Sequence, residues 1–525
     1  MLLAALALSL TAQAAEQEPA FWTPDFFSSG MVLQCDQPIR IWGKGAPGTR
    51  VHATIVAHHD ATHTIAAAHG TIARDGSWSV ELPAQKASFN GYRIDVNSSG
   101  HIRSWEEVLF GEVWFAAGQS NMEWPLARST SWEKVKQSPG TNTDLAGAMN
   151  GVRFYDAQFT ATGAGGAWSQ ETVSALAPES FRKQGRWRRS TSDDLARMSA
   201  VAWFFGTELT LALERPIGLI EVAAGGTPTE AWVDSRALAA SPATASLVAE
   251  GNWLDNPLLG AWCRGRARQN LSRALEEGWE IPGNALGPHH AFQPGHMWET
   301  AVAPFTGLPI RGVIWYQGES NAGSAQRVEQ HEAIFRTLVR SWREAWQQPE
   351  LPFLFVQLPN MNREHWPAFR EQQRRLQASV PSTGMAVTID VGDPHDVHPR
   401  AKQAVGERLA RWALHLVYAQ PQLSSGPICT RASFDAAESA LRLSFTSIGA
   451  ALKLTDEAGL FEWQDAAGEW HPALTQRADL AQIHLGLPSD ARPRAVRYAW
   501  AMNPTPTLFD ADGLPASPFV ISVSG

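Results

Sequence analysis

From Val108 to Ala117 the chain is apolar at every position but Gly111 and Glu112, and the run stops at Gly118. Such a run, rich in Val, Phe and Trp and closed by glycine, predicts a buried strand. Ile217 to Ala223, Gly312 to Tyr316, Phe353 to Gln357 and Met385 to Val391 have the same character. Between them lie segments whose apolar residues recur at three- and four-residue steps: Met198 to Leu213, Val328 to Trp346, Ala368 to Ser379 and Arg400 to Tyr418. Strands alternating with helices predict an α/β fold with a parallel sheet covered on both faces.

Both ends of the chain have another pattern. Ile39 to Trp42, Arg50 to Ile55, Trp78 to Leu82 and Tyr92 to Val96 are short β segments separated by turns such as Arg74-Asp75-Gly76-Ser77. β character returns at Ala440 to Phe445, Leu452 to Leu454 and Ala495 to Trp500. The expected organisation is an N-terminal β domain at 20–105, an α/β domain at 106–420 and a C-terminal β region at 421–525. Ala127 to Lys183 reads as loop, with Gly163 to Gly166 as a flexible segment. A second irregular stretch, about 234–298, reads as an insertion with a helix around Ala261 to Leu275. Insertions of this length usually sit above a site and shape its access.

Composition narrows the function classes. The 525 residues exceed a single core, and 44% hydrophobic with 18% charged residues describe a globular protein. A formal charge of −9 without a basic block argues against nucleic acid or an anionic membrane as partner. Cys35, Cys263 and Cys429 lie far apart without metal spacing; one bridge among them is chemically allowed. Met1 to Leu10 is an apolar stretch too short to span a bilayer, and Ala12-Gln13-Ala14 has the small-x-small form of a cleavage site. A signal peptide over 1–15 and a periplasmic or secreted location are expected, although the usual positive start is missing.

The chemistry gathers where the first strand ends. Gly118 permits a sharp turn, and Ser120 and Asn121 follow at the carboxyl end of the strand, where open α/β sheets bind ligands. Taken in isolation, Gly118-Gln119-Ser120-Asn121 is more often a helix cap than a nucleophile turn. Three further blocks alter that reading: Gly225-Gly226-Thr227-Pro228-Thr229-Glu230-Ala231-Trp232, Trp315-Tyr316-Gln317-Gly318-Glu319-Ser320-Asn321 and Asp396-Val397-His398-Pro399. With Gly118-Gln119-Ser120-Asn121-Met122-Glu123 they resemble, in order and spacing, the SGNH hydrolases, in the branch of sialate O-acetylesterases and related carbohydrate acetylesterases. Met31-Val32-Leu33-Gln34 and Gly513 to Phe519 resemble the family's terminal regions.

The resemblance implies a flavodoxin-like three-layer α/β/α catalytic domain flanked by β-sandwich-like modules. It implies a serine esterase that removes O-acetyl groups from carbohydrates through an acyl-enzyme, on O-acetylated sialic acid or an acetylated polysaccharide such as xylan. Ser120 is then the nucleophile and His398 its base. Asp396 orients the imidazole, with Asp393 as the alternative. The N–H groups of Ser120 and Gly226 receive the oxyanion, Gly225 being the near competitor. The third donor is the side-chain amide of Gln317, or alternatively Asn321. Trp124, Trp232 and Glu319 are expected to contact substrate, and Arg128 and Arg311 are candidates for holding a sialate carboxylate. No metal or organic cofactor and no membrane anchor in the mature protein are expected. Two rivals stand beside this reading: a non-catalytic carbohydrate-binding protein on an esterase scaffold, and a glycosidase using Glu319 with Glu123 or Glu230.

Overall fold

The computed structural model describes residues 21–524 apart from 58–59, 138–150, 163, 191, 448, 450 and 457–459. The leader expected at 1–15, and Gly163 at the start of the expected flexible segment, therefore lie outside the described residues.

The fold is built on one long strand, β1 (His101–Gly118). Its first half pairs antiparallel with the N-terminal strand Ser88–Ser98. Its second half enters a parallel sheet with β4 (Ile217–Ala223) on one side and β5 (Gly312–Tyr316) on the other. The strand continues without a break from the N-terminal module into the central sheet. Outward from β5 follow β6 (Phe353–Val356) and β7 (Thr383–Ala386); outward from β4 follow β2 (Val152–Asp156) and an antiparallel edge strand, β3 (Arg186–Arg189). The central order is thus β7-β6-β5-β1-β4-β2-β3.

Residues alternate across this sheet with period two. Val113, Phe115, Val313, Trp315, Phe353 and Phe355 face a core that includes Phe335, Leu338 and Trp342 of α4 (Ala325–Ala345) and Leu376 of α5 (Trp366–Ser379). Trp114, Ala116, Ile314, Tyr316, Leu354 and Val356 face the opposite core, closed by Val201 and Phe205 of α2 (Ala200–Leu213) and Val405 and Leu409 of α6 (Lys402–Leu416). Burial on both faces accounts for the continuous apolar run of β1.

Three expectations are corrected. The stretch read as loop contains strand β2, whose five residues Val152–Asp156 are too short a signal to stand out in a segment rich in Gly and Ala. The last strand ends at Ala386, and Val387 and Ile389 are buried in a loop that leaves the sheet. Eight of the C-terminal strands between Ile428 and Ser524 pair into one barrel-like sheet with its own core around Leu441, Ile483 and Tyr498, and Lys453–Leu454 pairs separately with Leu508–Phe509, where a sandwich-like module was expected. The insertion holds α3 (Ala261–Glu277) as anticipated. All three cysteines are buried and unpaired. Among the described residues no helix is long and apolar enough to cross a membrane.

Candidate active site

Gly118, Ala223 and Tyr316 stand side by side at the carboxyl ends of β1, β4 and β5. The loops that follow therefore open on one rim. Gly118 makes the turn with φ +141°, and a Cβ there would lie 2.2 Å from the carbonyl oxygen of Tyr316. The chain turns straight into α1 (Ser120–Glu123), with Ser120 as its first residue. A first-turn N–H has no intrahelical acceptor, and among the described residues that of Ser120 has no other protein acceptor.

His398 arrives from the other end of the chain. The loop after β7 crosses the rim and brings its Nε2 to 2.8 Å from the Ser120 hydroxyl oxygen. With Nδ1 protonated, Nε2 accepts the hydroxyl proton. The imidazole stacks on Trp124, with centroids 5.1 Å apart and planes at 19°. Burial first, and then the neighbouring Lys402 and Arg128 charges, hold the His398 pKa below the ordinary value of 6.5, with Asp396 opposing. Asp396 accepts the backbone N–H of His398 at 2.8 Å, while its Oδ1 is 3.8 Å from the ring Nδ1. That is ion-pair range but too long for a hydrogen bond. The alternative, Asp393, accepts the N–H groups of His395 and Asp396 and has no contact with the His398 ring among the described residues.

The glycine pair after β4 is sorted by its surroundings. The Gly225 N–H faces the Glu123 carboxylate. Gly226 has φ +79° and, among the described residues, no protein acceptor for its N–H. A Cβ on Gly226 would stand 2.8 Å from Phe292 and 3.0 Å from Trp262, so the insertion forms the wall behind this turn.

Several expected contacts are redirected. Gln317 donates to the Thr227 carbonyl at 3.2 Å and to Asn321 at 2.6 Å, and accepts from the Thr229 hydroxyl at 2.5 Å. Asn321 donates to Glu230 at 2.9 Å. Both amides are buried and occupied in tying the second loop to the third, so neither is free to receive an oxyanion. Trp232 is fully buried, donates to the Thr227 hydroxyl and packs edge-on to Trp315; it is core, not a substrate contact. Glu319 is buried and accepts from Asn121 at 2.5 Å, and Glu230 is paired with Arg327. Neither carboxylate lines the cleft beside Ser120, which removes the geometry a Glu319 glycosidase needs. Arg311 binds Glu112, roughly 20 Å along β1 from the turn at 3.3 Å per residue.

The cleft in front of Ser120 and His398 has a volume of about 590 Å³ and is lined by Trp124, Arg128, Asp156, Gln158, Arg197 and Glu221 among others. Of these, Trp124 and Arg128 were legible as candidates. The rest come from β2 and the loop after it, from β4, and, for Arg197, from the segment between β3 and α2, whose place beside β1 no local pattern discloses. Glu221 accepts the Ser199 N–H at 3.1 Å, and burial, with Asp156 and Glu123 nearby, holds its carboxyl well above the usual range. A larger depression of about 1010 Å³, over the insertion beside His289, contains neither Ser120 nor His398. No group of three or more His, Cys, Asp or Glu side chains is placed to hold a metal ion among the described residues.

A hydroxyl and an imidazole in contact on the rim of an α/β sheet, beside two N–H groups without a protein acceptor among the described residues, are the equipment of acyl transfer, and the class is that of an esterase. Residues 291–415 match the family described as carbohydrate esterase, sialic acid-specific acetylesterase, a span that holds the third and fourth blocks but not Ser120 or Gly226. Sialate O-acetylesterases of Homo sapiens and Pongo abelii are each 26% identical, over 95% of this chain and 92% of theirs. A carbohydrate acetylesterase from Xanthomonas citri, known from its crystal structure, is 29% identical with a TM-score of 0.74, over 95% of this chain and 99% of its own. Over nearly its whole length the chain is thus similar to sialate O-acetylesterases and to a carbohydrate acetylesterase.

Proposed function

We propose that the protein is a serine O-acetylesterase of carbohydrates, working through an acetyl-enzyme on an SGNH-type scaffold. The observation that carries this is the 2.8 Å contact between Ser120 Oγ and His398 Nε2 at the mouth of the cleft. Ser120 attacks the acetyl carbonyl carbon as its proton passes to Nε2. The carbonyl oxygen, now an oxyanion, is held by the N–H groups of Ser120 and Gly226. Collapse breaks the C–O bond to the sugar, and His398 returns the proton to the departing hydroxyl. Water then repeats the sequence on the acetyl-enzyme, releasing acetate and restoring Ser120.

An open, polar cleft containing Trp124, Arg128, Asp156 and Arg197 suits a hydroxylated ring better than a long acyl chain. The domain division at about 105 and 420 and export of the mature chain form part of the same proposal. Export is supported by the apolar start and Ala12-Gln13-Ala14; amino-terminal sequencing of the mature protein tests it.

Acetate release from acetylated xylan and from O-acetylated sialic acid, compared between wild type and His398→Ala, tests the function. Wild type releases acetate from at least one of them, and the variant falls by roughly 10⁴-fold or more in kcat. Acetate release retained by His398→Ala contradicts the proposal. Because Asp396 lies beyond hydrogen-bond reach of the ring, Asp396→Ala is expected to cost far less, roughly 10- to 100-fold.

The pH profile carries a sign. A lowered His398 pKa keeps the imidazole neutral, and so able to accept a proton, into mildly acidic solution. The acid limb of kcat/KM is therefore expected below pH 6.5. An acid limb above that value contradicts the electrostatic account.

A further inference from the structure

Helix α6 begins with a lysine on its buried stripe. Lys402 is in register with Val405, Leu409 and Trp412, and it is 0% exposed. A wholly buried ammonium is uncommon and needs partners. Its Nζ donates to Asn121 Oδ1 and lies 5.8 Å from the Trp124 ring and 5.2 Å from the Tyr316 ring. Asn121 uses its amide nitrogen in the other direction, donating to Glu319 and, at 2.9 Å, to the carbonyl of Val397. Asn121 follows the nucleophile and Val397 precedes the base. One buried amide thus bridges the two loops that must meet.

With Oδ1 occupied by Lys402, that amide has a single orientation, and its N–H groups are aimed at Val397 and Glu319. The lysine also lies against Trp124, the ring on which the His398 imidazole stacks. We propose that Lys402 is a positioning residue: through Asn121 and Trp124 it sets the distance and ring plane at which His398 meets Ser120. The inference rests on the acyl-transfer reading and adds to it a residue that touches no substrate.

The charges around this point are known. Lys402 faces the carboxylates of Glu319 and Asp396, while His398 faces Lys402, Arg128 and Asp396. Burial brings Lys402 down to about 7 and holds Glu319 above the usual carboxylate range. Removing the lysine charge also removes a cation that depresses His398, so the acid limb of the rate profile moves to higher pH.

The test is a double-mutant cycle between Lys402→Met and Asn121→Ala. It is read by kcat and KM on the acetyl ester and by the rate at which a fluorophosphonate labels Ser120. Each single variant is expected to lose roughly 100-fold in kcat and in labelling rate, with KM within about twofold and the Lys402→Met acid limb shifted upward. The double variant is no slower than the worse single one, because both act through one amide. Independent losses that multiply, to roughly 10⁴-fold, overturn the inference, as does Lys402→Met with wild-type labelling and an unmoved acid limb. If Lys402→Met does not fold, Asn121→Ala alone decides: unchanged labelling rejects the bridge. Wild type that labels at Ser120 yet releases no acetate refutes the substrate reading while leaving this comparison intact; wild type that does not label refutes both.

Discussion

Ser120→Ala is expected to lower acetyl-ester turnover by roughly 10⁴- to 10⁶-fold while the protein stays folded. The substitution removes one oxygen from a partly exposed side chain in the first turn of α1. Its hydrogen bond to His398 disappears, and no core volume changes. A shift of the melting temperature within about 2 °C is therefore expected. The residual rate reports what the N–H groups of Ser120 and Gly226 and the cleft contribute without a nucleophile. Turnover within tenfold of wild type in the purified variant would show that another group attacks the ester.

The second large effect is on folding. Gly118→Ala places a Cβ 2.2 Å from the Tyr316 carbonyl oxygen, in a backbone conformation of φ +141° that side chains rarely adopt. The clash is with backbone and cannot be relieved by a rotamer change. The same carbonyl accepts the Gln119 N–H at 3.0 Å, and the Gly118 carbonyl accepts the Ala224 N–H at 3.0 Å. Separating β1 from β5 breaks the ladder that carries both the serine turn and the third loop. A loss of roughly 4 kcal/mol or more is expected, seen as a lower denaturant midpoint or as insoluble protein. A variant with wild-type midpoint and activity would mean that the rim is not fixed by this close approach.

Much of this architecture was legible because the central strands are buried on both faces. Their runs stop at glycine or at polar loops, as at Gly118 and Gln317, and helices such as α4 and α6 carry clear stripes. What could not be read was adjacency. Periodicity marks β4 and β5 as strands but is silent on their lying either side of β1, so the meeting of Ser120 and His398 rested on resemblance. The same blindness misassigned polar residues inside the blocks. Gln317, Asn321, Trp232 and Glu319 share short motifs with loop residues, and only the packing shows that they face inward to hold loops together. Lys402 carries a signal that local pattern does offer: a charged residue three positions before Val405, on the apolar stripe of an amphipathic helix. A cation in such a place has to be explained by a partner.

The most direct measurement is mass analysis of the enzyme quenched during turnover of an acetylated saccharide. The account predicts one acetyl group on the peptide that contains Ser120, appearing with an initial burst of released sugar and absent from Ser120→Ala. Acetyl found on another residue, or efficient acetate release with the Ser120 peptide never modified, would contradict it.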